Sequence, residues 1–336
     1  MMRYRHAWLG KSALLALATT LLLVLAALPA AAQNIQDLLA AVVKVKTQVP
    51  GDARTADTLG REREGSGIVI DQAGLVLTIG YLMVEAQGAE VTSADGRTVP
   101  AQVVGYDHES GFGLLRTLPP LKVKPMAFGR SADLKERDPV LIMSQGGSDM
   151  AAPAFVVSKR PFAGSWEYLL DEAIFTAPAH PAWSGAALLD SEGKLVGVGS
   201  LIVGDAMGGS MHMPGNMFVP IDRLKPILGD LIADGRVVGP AKPWLGLNTE
   251  EFRGRLFVTR VTPDSPAEKA GIKRGDVILG IAGQTPTDLA DFYRKIWARG
   301  PAGVGVPLSV LQGTEPREIT LQSVDRRSHL RLGRTY

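Results

Sequence analysis

Short apolar-rich runs and polar turn segments follow one another from residue 65 to residue 219. Apolar-rich runs are separated by turn residues such as Gly74, Gly96 and Gly193. A short amphipathic helix turning into a strand is expected at residues 33–46, and residues 50–63 are expected to form a loop. The pattern predicts strands at residues 65–71, 75–79, 90–93, 98–105, 112–117, 140–143, 154–159, 168–175, 186–189, 195–201 and 216–219. Many short strands without intervening helices are typical of a β-barrel or β-sandwich, so the fold class is mainly β.

Helical spacing replaces this pattern at Ile221. Apolar residues then recur three or four positions apart as far as Ile232, and Gly235 stands where a helix would end. A helix is therefore predicted at residues 221–234. Residues 237–243 are rich in Gly and Pro and are typical of a linker between domains.

A second unit of about 80 residues begins at Trp244, a size that suits a small independent domain. The pattern predicts strands at residues 245–249, 256–261, 277–281, 307–311 and 317–322, with helices at residues 266–270 and 287–298. This is a mixed α+β domain.

Residues 1–32 have the pattern of a signal peptide. Arg3, Arg5 and Lys11 precede an apolar run, and three alanines end at Ala32, where a signal peptidase would cleave. The apolar run also approaches membrane-spanning length, so an uncleaved membrane anchor is the alternative. Export of a chain with no cysteine is typical of a bacterial-type periplasmic protein without disulfide bonds.

The charge balance argues against a nucleic-acid partner. The chain has 36 Lys and Arg against 34 Asp and Glu, which leaves no basic surface of the kind that binds phosphate backbones. Residues 326–336 form a basic tail, and such a short terminal run is expected to be solvated and disordered.

Ser184 is the candidate nucleophile. It lies in Trp183-Ser184-Gly185, directly before an apolar strand, and a tight turn of this kind can present a reactive serine. Serine on a turn is also common in proteins without catalytic function. The interpretation therefore depends on whether the other groups of a catalytic site are present.

Several further motifs give the chain a resemblance to a known family. Trp244-Leu245-Gly246-Leu247, Ser265-Pro266-Ala267-Glu268 and Gly275-Asp276-Val277-Ile278 are similar to motifs of the PDZ domain of HtrA/Deg serine proteases. Gly65-Ser66-Gly67 and Leu189-Asp190-Ser191-Glu192-Gly193 resemble motifs of their protease domain. The resemblance implies a trypsin-like double β-barrel at residues 33–236, a linker at 237–243 and a PDZ domain at 244–325. It also implies activity as an endopeptidase, if the catalytic residues are present.

Two of the three catalytic positions implied by the resemblance hold other residues. Tyr81 stands at the histidine position and Gly111 at the aspartate position, while Ser184 is retained. An unperturbed phenol, with a pKa of about 10, is a poor general base near neutral pH. The oxyanion hole implied by the family would use the backbone N–H groups of Ala182 and Ser184, and family members have glycine at the position of Ala182, because that turn strains other residues.

His180 is the alternative base, because it lies four residues before Ser184. Sequence proximity alone does not establish a dyad, and His180 is equally consistent with a turn residue that bonds backbone. His108 is expected to precede the strand at 112–117 and to face away from the site.

The resemblance also implies a peptide-binding groove. Backbone N–H groups of Leu245, Gly246 and Leu247 would hold a terminal carboxylate, and an extended peptide would pair with the strand that follows. The helix carrying Leu289, Phe292, Tyr293 and Ile296 would form the other wall, although these residues are also consistent with ordinary core positions.

The sequence therefore predicts an HtrA-like pseudoprotease that binds extended peptides or C-termini of envelope proteins in protein quality control. One alternative is an active endopeptidase that uses Ser184 and His180. The other is a non-catalytic subunit that assembles with an active relative, since members of the family form trimers. No cofactor and no metal are expected, because the chain has no phosphate-binding glycine loop and no histidine cluster at ligand spacing.

Overall fold

The computed structural model describes residues 35–209 and 212–332, which form two β-barrels and a smaller α+β domain. The proposed signal peptide lies outside the described residues. Within the described ranges, no helix is long and apolar enough to cross a membrane.

The first barrel follows a helix at residues 35–41 and closes in the strand order β1-β2-β3-β6-β5-β4. We label that helix α1. The strands bury their valines, leucines and isoleucines, and β3 is buried at all five positions, with Leu77 in one core cluster and Val76 in another. The elements are β1 (Val42–Gln48), α2 (Ala56–Leu59), β2 (Glu62–Val69), β3 (Leu75–Ile79), β4 (Gly88–Thr92), β5 (Thr98–Tyr106) and β6 (Phe112–Thr117).

The second barrel closes in the order β10-β11-β12-β9-β8-β7. One continuous core joins it to the first barrel, with Phe112 of one and Phe175 of the other in the same buried cluster. Its strands are β7 (Pro139–Met143), β8 (Ala151–Gly164), β9 (Tyr168–Ala177), β10 (Ala187–Leu189), β11 (Leu195–Val203) and β12 (Gly215–Pro220).

The third unit is a five-stranded antiparallel sheet in the order β13-β14-β15-β16-β17, with β13 at one edge. A backbone bridge between Trp244 and Val324 joins the two ends of this domain. Its elements are β13 (Leu247–Phe252), β14 (Arg255–Val261), α4 (Pro266–Lys269), β15 (Val277–Ile281), α5 (Leu289–Trp297), β16 (Gly305–Gln312) and β17 (Glu315–Gln322). The expected mainly-β double barrel followed by an α+β domain is confirmed.

Two predictions of local secondary structure were wrong. The expected helix at 221–234 is a 3₁₀ turn (Ile221–Arg223) and a shorter α3 (Leu228–Asp234). Pro226 lies between them, lacks an N–H and disfavours helical geometry in the residue before it. The expected loop at 50–63 contains α2, whose Ala56 packs with Val49 and Ala53.

The basic tail is not simply solvated. Helix α6 (Arg326–His329) packs between the domains, and Arg326 donates 2.8 Å to the carbonyl of Trp166. Residues 326–332 are held against the barrels, because Arg326 and Arg327 donate to the carbonyls of Trp166 and Tyr106 and the backbone N–H of Arg331 donates to the Glu85 carboxylate.

Candidate functional site

The turn that carries Ser184 lies where the two barrels meet. Ser66 of β2 donates its backbone N–H to the Ser184 carbonyl at 2.8 Å, and Gly185 donates to Gly199 of β11 at 2.9 Å. Gly185 has φ 74°, and a Cβ there would lie 2.0 Å from the Ser66 carbonyl oxygen. The close approach of the barrels therefore requires glycine beside the serine.

Tyr81 reaches the same place from the 3₁₀ turn after β3. The turn is held by the buried guanidinium of Arg63, which donates to the carbonyls of Tyr81 and Val84, both at 2.9 Å. Charge-assisted bonds to backbone fix the position of the turn and, with it, the direction of the phenol.

The phenol oxygen of Tyr81 lies 2.9 Å from Ser184 Oγ and 2.8 Å from the carbonyl oxygen of Ser200. A carbonyl oxygen can only accept, and a neutral phenol has one hydrogen to donate. When that hydrogen goes to Ser200, the serine hydroxyl donates to the phenol oxygen. The structure thus brings the hydroxyl groups of Tyr81 and Ser184 together.

Near neutral pH, a smaller fraction of this phenol is ionised than of an exposed tyrosine. Burial raises the pKa of Tyr81 to about 12, because the phenolate would lose its hydration. At pH 8 only about one phenol in 10⁴ is ionised. A neutral phenol cannot remove the serine proton as an imidazole does.

Gly111 gives the phenol no carboxylate partner, and its surroundings leave little room for one. Its φ is 85°, in the left-handed region, and a Cβ there would lie 3.0 Å from the hydroxyl of Tyr168. That hydroxyl donates to the Ser110 carbonyl at 2.8 Å. Tyr168 therefore packs beside the position at which an orienting carboxylate would begin.

His180 bonds within its own turn. Its Nδ1 accepts from the backbone N–H of Ala182 at 3.2 Å, and its backbone is held by the side chain of Asn216 at 2.6 and 3.1 Å. Burial lowers the pKa of His180, so the ring is neutral near pH 7. The Ala182 N–H, one of the two candidate oxyanion donors, is directed at this ring.

A cleft of about 700 Å³ opens beside Ser184, between the barrels and the third domain. Its walls include the aromatic side chains of Tyr81, Trp166, Trp183 and Trp244. Among the described residues, no group of three or more His, Asp or Glu side chains is arranged to hold a metal ion.

The predicted carboxylate-binding loop of the third domain does hold a carboxylate, and it belongs to this chain. Glu167 Oε1 accepts from Gly246 N at 2.6 Å and Leu247 N at 2.8 Å, and Oε2 accepts from Leu245 N at 3.0 Å. Glu167 lies in the turn between β8 and β9 and is buried. Burial raises the pKa of Glu167 to about 6, although the three N–H donors act in the opposite direction.

The predicted helix wall is only partly a binding surface. Leu289, Phe292, Tyr293 and Ile296 of α5 all belong to the buried core of the domain. Tyr293 also contacts the β8–β9 turn, because its hydroxyl donates to the Gly164 carbonyl at 2.8 Å and accepts from Glu167 N at 3.2 Å.

Sequence reasoning missed Glu167, and no local signal marks it. A glutamate in a turn between strands is usually exposed, and its partners are 78 to 80 positions away. The expectation that His108 faces away from the site was wrong, because His108 lines the same cleft as Ser184. Its ring nitrogens contact the Tyr106 hydroxyl at 2.8 Å and Arg326 Nη1 at 2.6 Å.

Two family models match the domains that the structure separates. A trypsin-like peptidase domain matches residues 65–198, and a PDZ domain matches residues 257–302. The chain belongs to the HtrA/Deg family.

Curated relatives of this HtrA/Deg chain include proteases of several organisms. It is 27% identical to the putative serine protease HhoA of Synechocystis over 288 residues, which are 79% of the chain and 71% of the relative. It is 27% identical to the periplasmic pH-dependent serine endoprotease DegQ of Escherichia coli over 88% of the chain and 70% of the relative. The serine protease PepD of Mycobacterium tuberculosis is 30% identical, over 69% of the chain and 55% of the relative.

Solved structures of the HtrA type share the fold. The HtrA-type protease AlgW with a decapeptide superposes with a TM-score of 0.52 at 21% identity, covering 90% of this chain and 99% of that one. A serine endoprotease from Yersinia pestis gives a TM-score of 0.50 at 21% identity, covering 87% of this chain and 97% of that one.

Proposed function

We propose that this HtrA/Deg chain is a pseudoprotease that binds peptides rather than cleaving them. The observation that carries the proposal is the pairing of Ser184 Oγ with the neutral phenol of Tyr81, where the family has an imidazole base. The loss of a triad member lowers the rate by about 10⁴-fold or more. Gly111 removes the second member as well.

The oxyanion site supports the same conclusion. The Ala182 N–H donates to His180 Nδ1 at 3.2 Å, so it is not free to stabilise a tetrahedral intermediate. Because Nδ1 of the neutral ring accepts that bond, Nε2 carries the ring proton, so neither nitrogen of His180 is a free base for Ser184. No contact of His180 therefore favours the alternative of a Ser184–His180 endopeptidase.

The PDZ domain is the part that would bind. Its loop holds a carboxylate through three backbone N–H groups, which is the chemistry that captures a peptide C-terminus. The ligands we propose are extended segments or C-termini of envelope proteins. A periplasmic site of action, and a role in protein quality control, follow by analogy with relatives such as the periplasmic DegQ.

A fluorophosphonate probe tests the catalytic half of the proposal. We expect the mature protein to show no labelling at Ser184 and no digestion of casein, because nothing at the site deprotonates the serine. DegQ of E. coli is the positive control, and Ser184→Ala gives the background. Labelling that Ser184→Ala abolishes, together with casein digestion, would overturn the pseudoprotease assignment.

Co-purification tests the remaining alternative, a non-catalytic subunit. A stable mixed complex with an active HtrA-type relative would favour a structural role over independent peptide binding. Recovery of the chain alone or with itself would favour the independent scaffold.

A further inference from the structure

The turn between β8 and β9 occupies the groove that the PDZ domain would offer to a peptide. The groove lies between the edge strand β13 and helix α5. Residues 163–169, which we call the hairpin tip, contact both walls. Ala163 and Leu169 at its two ends pack against the PDZ core.

The backbone of the hairpin tip pairs with the edge strand. Thr249 of β13 donates its N–H to the Ser165 carbonyl at 2.9 Å. The opposite side of β13 pairs with β14, so the tip uses the outer edge that an added peptide strand would use. On the other wall, the Tyr293 hydroxyl bonds Gly164 and Glu167.

Glu167 fills the remaining part of the groove, the carboxylate loop. Three successive backbone N–H groups converge on its two oxygens at 2.6 to 3.0 Å. Gly246 has φ 84°, and a Cβ there would lie 2.2 Å from the Ser265 Cβ, so the loop geometry depends on glycine. The side-chain carboxylate of Glu167 thus takes the place of a peptide's terminal carboxylate.

We propose that the hairpin tip is an intramolecular ligand that closes the PDZ groove, and that a peptide with a free C-terminal carboxylate binds by displacing Glu167. This inference rests on the peptide-binding function proposed above. The chain supplies each group that such a peptide would bring: an extended backbone carbonyl for β13, contacts to α5 and a carboxylate for the loop.

A tethered competitor weakens the apparent affinity of an external ligand. Because the tip is part of the same molecule, its effective concentration is high, and the binding-competent open state is a minor population. Removing Glu167 leaves three N–H groups without their acceptor and destabilises the closed state. We expect the apparent affinity for a free-carboxylate peptide to rise by about tenfold or more in variants that cannot close.

Two variants open the groove by different means, and each has a matched control. Glu167→Ala removes the acceptor, while Glu167→Lys places a cation against N–H donors and Arg326. The controls are Glu172→Ala and Glu172→Lys on β9, because Glu172 is 60% exposed and pairs with Lys159 outside the groove. Exchange protection of β10–β12 reports whether each variant keeps the barrel folded.

Hydrogen exchange measures how fully Glu167 occupies the carboxylate loop, without any added ligand. We expect the amides of Leu245, Gly246 and Leu247 to exchange about tenfold or more faster in both Glu167 variants than in the parent protein and the Glu172 variants. Unchanged exchange at these amides in both Glu167 variants would overturn the inference.

Fluorescence polarisation then measures displacement. The probes are fluorescein-labelled heptapeptides ending in Val, Leu, Phe or Ala with a free carboxylate, each paired with its C-terminal amide. The inference expects tighter binding of a free-carboxylate probe to the Glu167 variants and little binding of the amides. If a free-carboxylate probe bound the parent protein and the Glu167 variants with equal affinity, the proposal that the hairpin tip closes the groove would be overturned. Faster exchange with no probe bound to any variant would leave the occupancy supported and overturn the peptide-binding function.

Discussion

At the scale of single residues, the chemistry at Ser184 is decided by what faces its hydroxyl. Tyr81 supplies a phenol whose pKa is raised to about 12, and Ser200 supplies a carbonyl that accepts from it. Under the proposed function, these two contacts make Ser184 a hydrogen-bonded structural hydroxyl, with a neutral phenol where the family has an imidazole base.

Gly111 provides a residue-scale prediction. Gly111→Ala should lower the free energy of unfolding by about 1–2 kcal/mol, because alanine is strained at φ 85° and its Cβ would meet the Tyr168 hydroxyl. Denaturant unfolding measures the change. The control is Gly88→Ala at the exposed first residue of β4, where a Cβ would meet no atom within 4 Å. Equal stability of the two variants would contradict the crowding described at the aspartate position.

At the scale of elements, the β8–β9 hairpin serves two domains. Its strands belong to the second barrel, and its tip pairs with β13 of the PDZ domain. The sequence pattern ends the first of these strands at residue 159, because Pro161 and Gly164 resemble a turn. In the structure β8 continues to Gly164 through register shifts at Val156/Ser158 and Arg160/Phe162, which accommodate the proline.

The docking of this hairpin should depend on pH. Docking raises the pKa of Glu167 from 4.5 to about 6, so the docked state binds a proton more tightly than the open state. The resulting stabilisation is complete below about pH 4.5 and is lost as the pH rises through 6. This pKa difference corresponds to about 2 kcal/mol in the free energy of docking between the low-pH and high-pH limits. Arg326 of α6 favours the ionised carboxylate, Tyr293 of α5 is neutral, and burial keeps His108 neutral by lowering its pKa.

Hydrogen exchange of the Leu245 to Leu247 amides at pH 5 and pH 8, corrected for intrinsic rates, measures this dependence. Protection should be greater at pH 5 in the parent protein. Glu167→Gln has no charge at either pH and should show the same protection at both. Equal protection of these amides at pH 5 and pH 8 in the parent protein would contradict the proposed link between Glu167 protonation and docking of the hairpin.

At the scale of the whole molecule, the domains are joined by a few strong contacts and several weak ones. Ion pairs such as Arg54–Asp264 at 2.6 Å and Arg294–Asp171 at 2.9 Å are partly exposed, and such pairs contribute about 0–1 kcal/mol each. The hairpin tip, with its buried Glu167, and the partly buried Arg326 connect the domains away from solvent. Arg326 donates to the Trp166 carbonyl at 2.8 Å, and Trp166 is part of the hairpin tip.

Arg326→Met should therefore loosen the domain arrangement. Loss of a partly buried charged donor should cost about 1–3 kcal/mol, lower the thermal midpoint and make the start of the linker at 237–243 more sensitive to trypsin, which can cut after the exposed Arg236. Arg255→Met, at an exposed arginine of β14, should change neither property. Comparable effects of the two substitutions would contradict a specific role for Arg326.

The sequence by itself determined the order of a unit of many short strands and a smaller α+β domain, and its family resemblance predicted that these are a double β-barrel and a PDZ domain. Period-two alternation and turn residues are local properties, and they specify strands wherever one face must be buried. The chemical identity of the catalytic positions is local too. Before any coordinate is known, the resemblance to the HtrA/Deg family predicts that Tyr81 stands at the histidine position and Gly111 at the aspartate position.

Only the tertiary structure decided which distant groups meet. Tyr81 reaches Ser184 across 103 positions, and Glu167 reaches the PDZ loop across 78 to 80. Neither contact leaves a trace in local periodicity, because an isolated turn can direct its side chain to solvent or to another domain. Docking of one folded unit against another selects between those outcomes. It buries Glu167 in this chain, and with that contact it closes the groove.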